Sequence, residues 1–196
     1  MTRLIVISNE TDLKDETRLV NELFMQGMEL FHLRKPFWTL EDQKRFLSSI
    51  QPEYLSLISV HQHHETIATF RLKHQHVKES ERENCFIHDQ VKKSTSFHDI
   101  ETMSQEKKKW DYSFLSPVFN SISKQDYTGK LDLRQLKPAD LSGVYALGGI
   151  QKNTIASVFK MGFTGAAVLG AIWKEPGKSL KEFEQLMNLC SQSVHM

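Results

Sequence analysis

Apolar positions along this chain switch repeatedly between two spacings. Short apolar, β-branched runs, beginning with residues 3–8 (RLIVIS), give way to stretches whose apolar residues recur three or four apart. After the first run, Leu19, Val20, Leu23 and Phe24 share a helical face that stops at Gly27. A second strand is expected in MELFHLRKP, followed by a helix capped by Thr39 with Leu40, Phe46, Leu47 and Ile50 on one side. A third strand over residues 55–60 precedes a helical HETIATFRL, and a fourth, KHQHV, precedes KESERENC, too polar to make more than a thin helix. VKKSTS and DIETMSQEKKK form the fifth pair, and DYSFLSPVF leads only to a short helix near DLRQLK. GVYALGGI is followed by a helix with Ile155, Val158 and Phe159 inward and Gly162 as its stop. Last, GAAVLG precedes a helix with Leu180, Phe183, Leu186, Met187 and Cys190 at helical spacing.

Eight alternating units leave two architectures, an open doubly wound sheet or a closed eightfold barrel. The first turn, VISNETD, lacks the glycines of a dinucleotide fold, and eight units match a barrel. The chain is short for that fold, so loops and helices must be trimmed, as the thin fourth and sixth units suggest. The expectation is an α/β compact (β/α)8 TIM barrel in a single domain over residues 1–196. A net charge of +1 supplies no field for nucleic acid or an anionic membrane, so partners must be argued locally. No run is long and apolar enough for a signal or a membrane span, and Cys85 and Cys190 form no framework or zinc pair, which points to the cytoplasm.

In a barrel the chemistry lies just beyond the carboxyl ends of the strands. Gly148 and Gly149 follow the seventh strand and Gly170 the eighth, where barrels often hold phosphate; tight turns explain glycines equally. Ser121, Ser123 and Lys124 follow the sixth, offering hydroxyl donors and a cation to an anion, with a solvated loop as the rival reading. Arg34 and Lys35 add positive charge after the second strand. His98, beyond the fifth, has the chemistry of a general acid or base near neutral pH. His61, His63, His64, His74 and His76 raise a metal reading, since imidazoles two apart on a strand share a face. No carboxylate or cysteine completes a set, however, and polar strand ends explain the run as well. The three tryptophans are too scattered to stack bases.

Taken together, these segments resemble the thiamine phosphate synthase and TenI family of small barrels. MELFHLRKP is similar to its Gln-x-Arg-x-Lys segment, DYSFLSPVFNSISK to Asp-Tyr-x-x-x-Gly-Pro-Val-Phe-x-Thr-x-Thr-Lys, YALGGI to Ala-Ile-Gly-Gly-Ile, and GFTGAAVLGAIW to Gly-Ala-x-Gly-x-Ala-Val-x-Ser-Ala-Ile. The resemblance implies a thiazole phosphate as substrate and, in the synthase, an aminomethylpyrimidine pyrophosphate with magnesium. It assigns Ser121, Ser123, Lys124, Gly148, Gly149 and Gly170 to the thiazole phosphate, with Gly170 in place of a serine. His32, Arg34, Lys35 and Ser96 fall on the pyrimidine and pyrophosphate side. There His32 stands for the glutamine, and Pro36 for the lysine, with Lys35 one place early.

The family's fourth-strand His-Leu-Gly-Gln-x-Asp reads HVKESE, so Glu81 stands for a magnesium-binding aspartate, and the third-strand Asn-Asp falls on His61 and Gln62. Lost and lengthened carboxylates suit magnesium poorly. The resemblance therefore favours a TenI-like thiazole tautomerase, needing no cofactor, with His98 of Ser96-Phe97-His98 moving the proton. The alternatives are a divergent, magnesium-dependent thiamine phosphate synthase, a non-catalytic thiazole-phosphate-binding or regulatory paralogue, and an unrelated phosphate-binding barrel. A small phosphorylated thiazole is the expected partner, with no nucleic acid and no membrane, and with homo-oligomerisation left open.

Overall fold

Successive side chains of a strand point to opposite faces, so each strand of a closed sheet feeds two separate cores. In the computed structural model, which describes residues 3–119, 133 and 136–192, eight parallel strands pair in chain order into a closed barrel. β1 (Leu4–Ile7) pairs with both β2 (Phe31–Leu33) and β8 (Gly165–Val168). β3 (Ile58–Val60), β4 (His74–Val77), β5 (Lys92–Phe97), β6 (Tyr112–Leu115) and β7 (Val144–Leu147) complete the circuit. This is the (β/α)8 barrel expected from the alternating pattern, and closure leaves no sheet edge to pair with another chain. Leu4, Val6, Phe31, Leu33, Ala166 and Val168 face outward into the layer shared with the helices. Ile5, Ile7, Phe114, Tyr145 and Ala167 face the lumen.

The helices form where their apolar faces meet the outer strand surface. α1 (Glu16–Met25) buries Leu19, Val20, Leu23 and Phe24. α2 (Leu40–Ser48) opens on a capping box in which Thr39 Oγ1 accepts from Asp42 N at 3.2 Å and Thr39 N donates to Asp42 Oδ2 at 3.1 Å. α3 (Thr66–Phe70), α4 (Ile100–Glu106) and α5 (Ile155–Met161) are short, and α5 stops at Gly162. After β8 come α6 (Gly170–Trp173) and α7 (Ser179–Gln192), which buries Phe183, Leu186 and Cys190. Truncating Phe183 to alanine would cost about 3–5 kcal/mol by the usual figure for a buried phenylalanine.

Two departures from the sequence pattern have local causes. The third strand is shorter than residues 55–60, because Pro52–Leu57 forms a 3-10 turn that stacks Tyr54 on Phe24 with ring centroids 4.8 Å apart. Pro52 fits that turn as its first residue. After β4 the thin helix is a single 3-10 turn, Glu79–Glu81, and a side chain covers the wall instead. Arg82 lies over the Phe97 ring at 4.2 Å and bonds Thr95 Oγ1 and the Ser96 carbonyl. Its guanidinium is satisfied there by both a ring face and oxygen acceptors. Of the short helix expected near DLRQLK, residues 132, 134 and 135 lie outside the described residues. No helix among the described residues is long and apolar enough to cross a membrane.

Candidate active site

The carboxyl ends of the strands gather most of the residues singled out by sequence, but not into a single cluster. β5 ends at Phe97, and Asp99 caps α4 by accepting from Thr102 N at 2.7 Å. His98 is fixed between these two anchors. Its side chain is 57% exposed and its Nδ1 lies 2.7 Å from Glu79 Oε2, beyond β4. An ionised carboxylate only accepts, so Nδ1–H donates in this pair and Nε2 is left as the acceptor nitrogen of the ring. Sequence reasoning missed Glu79, although it stands at the glutamine of the fourth-strand motif. Glu79 also lies 3.5 Å from Arg82, which holds the carboxylate on its 3-10 turn.

Across the mouth, β7 and β8 are neighbours in register, Leu147 beside Ala167, so their following glycines share one corner. Gly148 and Gly149 adopt φ of 94° and 65°, conformations that glycine takes without strain. A Cβ on Gly148 would lie 2.9 Å from Pro117 Cα, so two loops touch there. They are joined by Val118 N donating to Leu147 O at 2.9 Å and Phe119 N donating to Gly148 O at 3.1 Å. Turn geometry alone therefore accounts for Gly148. Gly170 differs: its φ is ordinary and a Cβ there would meet nothing within 4 Å. Ser121, Ser123 and Lys124 lie outside the described residues.

The pyrimidine-side residues go to three different places. Arg34 is partly exposed and ion-paired with Glu10, while Ser8 Oγ donates to its carbonyl at 2.9 Å and accepts its N–H at 2.8 Å. Lys35 is buried among the loops that follow β1 and β2: Nζ lies 2.5 Å from Glu16 Oε2, donates to the Thr11 carbonyl at 2.8 Å, and sits 4.9 Å from the Trp38 ring centre. Burial raises the Glu16 pKa, and the Lys35 hydrogen bond and charge pull it back. With its donors engaged there, Lys35 is a structural cation in this arrangement. His32 and Ser96 instead point into the lumen.

There His32, His61 and His76 come together, their ligand-type nitrogens all within 4.8 Å of one another. Sequence reasoning had His61 and His76 among candidate ligands but did not join His32 to them. Register supplies the missing link, since β2 and β3 pair His32 with Ser59 and thereby set His32 beside the end of β3. Burial holds all three imidazoles well below the ordinary histidine range, His76 at about 3, and keeps them neutral. His74, mostly buried in the same wall, is lowered to about 4 by burial and by Lys92.

Among the described residues, magnesium finds no clustered carboxylate set at these strand ends. The third-strand end supplies His61 and Gln62, and Gln62 Nε2 donates to the Lys35 carbonyl. Glu81 is partly exposed and lies 3.3 Å from Lys78. Mg²⁺ needs charged oxygens in tight octahedral geometry, so the residues present do not fit it.

The model of the thiamine monophosphate synthase family (TMP-TENI) matches residues 4–172. The chain belongs to that family. Thiamine phosphate pyrophosphorylase from Bacteroides thetaiotaomicron is 30% identical, with 96% of this chain and 98% of that one covered and a TM-score of 0.83. Thiamine phosphate pyrophosphorylase from Pyrococcus furiosus is 20% identical, with 98% and 97% covered and a TM-score of 0.77. A 3-hexulose-6-phosphate synthase, 15% identical over 95% and 99% at a TM-score of 0.58, shares the barrel alone. No curated protein sequence matches. In this chain the imidazoles of His32, His61 and His76 occupy the β2–β4 side of the lumen.

Proposed function

We propose that this chain is a TenI-like tautomerase acting on a thiazole phosphate, with His98 as the group that moves the proton. The observation that carries the reading is the His98–Glu79 pair at 2.7 Å on the rim of the barrel, beside a pyrophosphate side whose described carboxylates are paired with cations, Glu81 with Lys78 and Glu10 with Arg34. A tautomerisation breaks one bond to hydrogen and forms another on the same ring, with no leaving group to neutralise. His98 Nε2 takes the proton, Glu79 steadies the imidazolium through Nδ1–H, and the same nitrogen returns the proton to the second ring position. The phosphate end falls to Gly149, Gly170 and the Ser121, Ser123 and Lys124 segment. Gly170 supports this, because neither φ nor crowding demands glycine there, while a missing side chain leaves room for a ligand against the backbone.

The second reading is a synthase, favoured by the 30% identity to a thiamine phosphate pyrophosphorylase. It requires the departing pyrophosphate to be neutralised by groups other than a magnesium–carboxylate set and Lys35. Replacing His98 with alanine separates the roles. The tautomerase reading expects turnover to fall by about 10²–10⁴-fold, the usual contribution of a positioned acid–base group, while thiazole phosphate binding measured by calorimetry stays within about twofold. Equal loss of binding and turnover would remove His98 from the chemistry, and tight binding without any turnover in the unaltered protein would make the chain a binding paralogue.

A further inference from the structure

The histidine cluster in the lumen is more ordered than a set of polar strand ends needs to be. His32, His61 and His76 are 0%, 6% and 3% exposed, and His61 directly follows the last residue of β3, towards the open mouth. His32 Nε2 is held by the Tyr112 hydroxyl at 2.8 Å and His76 Nδ1 by Ser94 Oγ at 2.9 Å. Those anchors leave His32 Nδ1 and His76 Nε2 on the inner side, with His32 Nδ1 already 2.9 Å from His61 Nε2. The His61 and His76 rings stack with centroids 3.9 Å apart.

We propose that His32, His61 and His76 form a binding site for one divalent ion of the zinc class, held by three imidazole nitrogens and open at a fourth position. Neutral imidazoles are the preferred ligands of zinc, cobalt and nickel, and three on one ion leave a place for water. A ligand whose far nitrogen is fixed by a hydrogen bond is the arrangement expected around such ions. His32 and His76 both show it, through Tyr112 and Ser94. Tetrahedral ligands at about 2.0–2.1 Å from zinc lie about 3.3 Å from each other. The His32–His61 contact therefore opens by only a few tenths of an ångström when an ion replaces the shared proton, which moves to His32 Nε2 or His61 Nδ1 as the tautomers require. Ser96 Oγ, 3.3 Å from His76 Nε2, borders the inner side of the cluster.

Positive charge nearby does not veto the ion, because it is locally compensated. Arg34 pairs with Glu10, Lys78 with Glu81 at 3.3 Å, and Arg82 with Glu79 and Glu106 at 3.5 and 3.7 Å. The proposal does not rest on the tautomerase reading, since metal stoichiometry is measured without any substrate.

Untagged full-length protein, stripped with chelator, would be titrated with Zn²⁺ alone by calorimetry, with bound metal counted by mass spectrometry and a Co²⁺ sample examined by X-ray absorption. The expected result is one equivalent bound, with three imidazoles on the ion. Binding should weaken beyond the roughly 10–100-fold typical of losing a supporting residue when a ligand itself is lost in His61→Asn or His76→Asn. The control His64→Ala/Cys85→Ser removes a half-buried pair, with Cys85 Sγ 3.9 Å from His64 Nδ1, that touches His76 only at its backbone carbonyl, and it should bind as the unaltered protein does. If the lumen variants fail to fold, the ligand count on the unaltered protein decides. No stoichiometric binding, fewer than three imidazoles on the ion, sulfur ligation, or undiminished binding by folded His61→Asn and His76→Asn would overturn the site and leave a metal-free hydrogen-bonded cluster.

Discussion

The two halves of the barrel lumen are built from opposite chemistry. From β6 round to β1, Tyr112, Phe114, Tyr145, Ala167, Ile5 and Ile7 fill it as an ordinary apolar core. From β2 to β5 the inward positions include buried His32, Ser59, His61, His76 and Ser94 and half-buried His74 and Ser96, and hydrogen bonds join His32 to His61 and His76 to Ser94 and Ser96. The apolar half gains stability from burial itself, whereas the polar half is stable only while its imidazoles stay neutral and mutually bonded. The difference also bears on chemistry. The β7–β8 corner presents the glycines Gly148, Gly149 and Gly170, while the β2–β4 side carries imidazoles and, beside them, the internal Lys35–Glu16 ion pair.

The largest expected effect exploits that contrast by acid. The folded pKa of His76 is about 3 and that of His74 about 4, both below the ordinary 6.5, and those of His32 and His61 are lowered well below it as well. Above pH 6.5 neither the folded nor the unfolded state protonates them. As pH falls below 6.5 the unfolded chain takes up protons that the folded chain refuses, so stability is lost progressively down to the folded pKa values. Each buried histidine costs up to about 1.4 kcal/mol per pH unit in that window. Chelator-treated protein should therefore lose most of its denaturant stability between about pH 6 and 4, and His76→Asn should flatten the slope. A pH-independent urea midpoint over that range would mean the cluster is solvated or charged.

Next in size is the Glu16–Lys35 pair. Lys35→Met leaves a buried carboxylate alone and should destabilise by about 3–5 kcal/mol, whereas Lys35→Met with Glu16→Leu should recover most of that loss. Thiazole phosphate affinity of the folded single variant should be unchanged. A selective loss of ligand binding with no change in melting temperature would return Lys35 to the substrate site.

The smallest effects compare two glycines on the apolar side's rim. Gly148→Ala must accept φ near 94° and a contact of 2.9 Å with Pro117 Cα, so it should destabilise by about 1–3 kcal/mol. Gly170→Ala meets no atom within 4 Å and should leave stability within about 0.5 kcal/mol while weakening phosphate binding several-fold. Unchanged affinity in Gly170→Ala would separate that backbone from the ligand.

The barrel was legible because strand and helix leave different periods, and even the thin fourth unit announced itself through the polarity of KESERENC. What sequence did not disclose is what Arg82 does there, since a guanidinium folding back over Phe97 has no periodic signature. The site divides in the same way. His98 was visible from its place after a strand and from the resemblance. Glu79 was hidden because its partnership runs between two loops. The three-imidazole cluster was only partly visible, because it depends on β2 registering with β3 and on side chains converging across a closed sheet. Lys35 stood in the sequence as a basic residue at a strand end, and only packing shows its charge committed to Glu16.

The most direct test of the central claim is an assay of both chemistries on one preparation. Protein would be given a thiazole carboxylate phosphate tautomer in chelator, and separately thiazole phosphate with aminomethylpyrimidine pyrophosphate and Mg²⁺. The account predicts metal-independent tautomer conversion that disappears in His98→Ala, with no thiamine phosphate above background. Robust magnesium-dependent thiamine phosphate formation without tautomer conversion would contradict it.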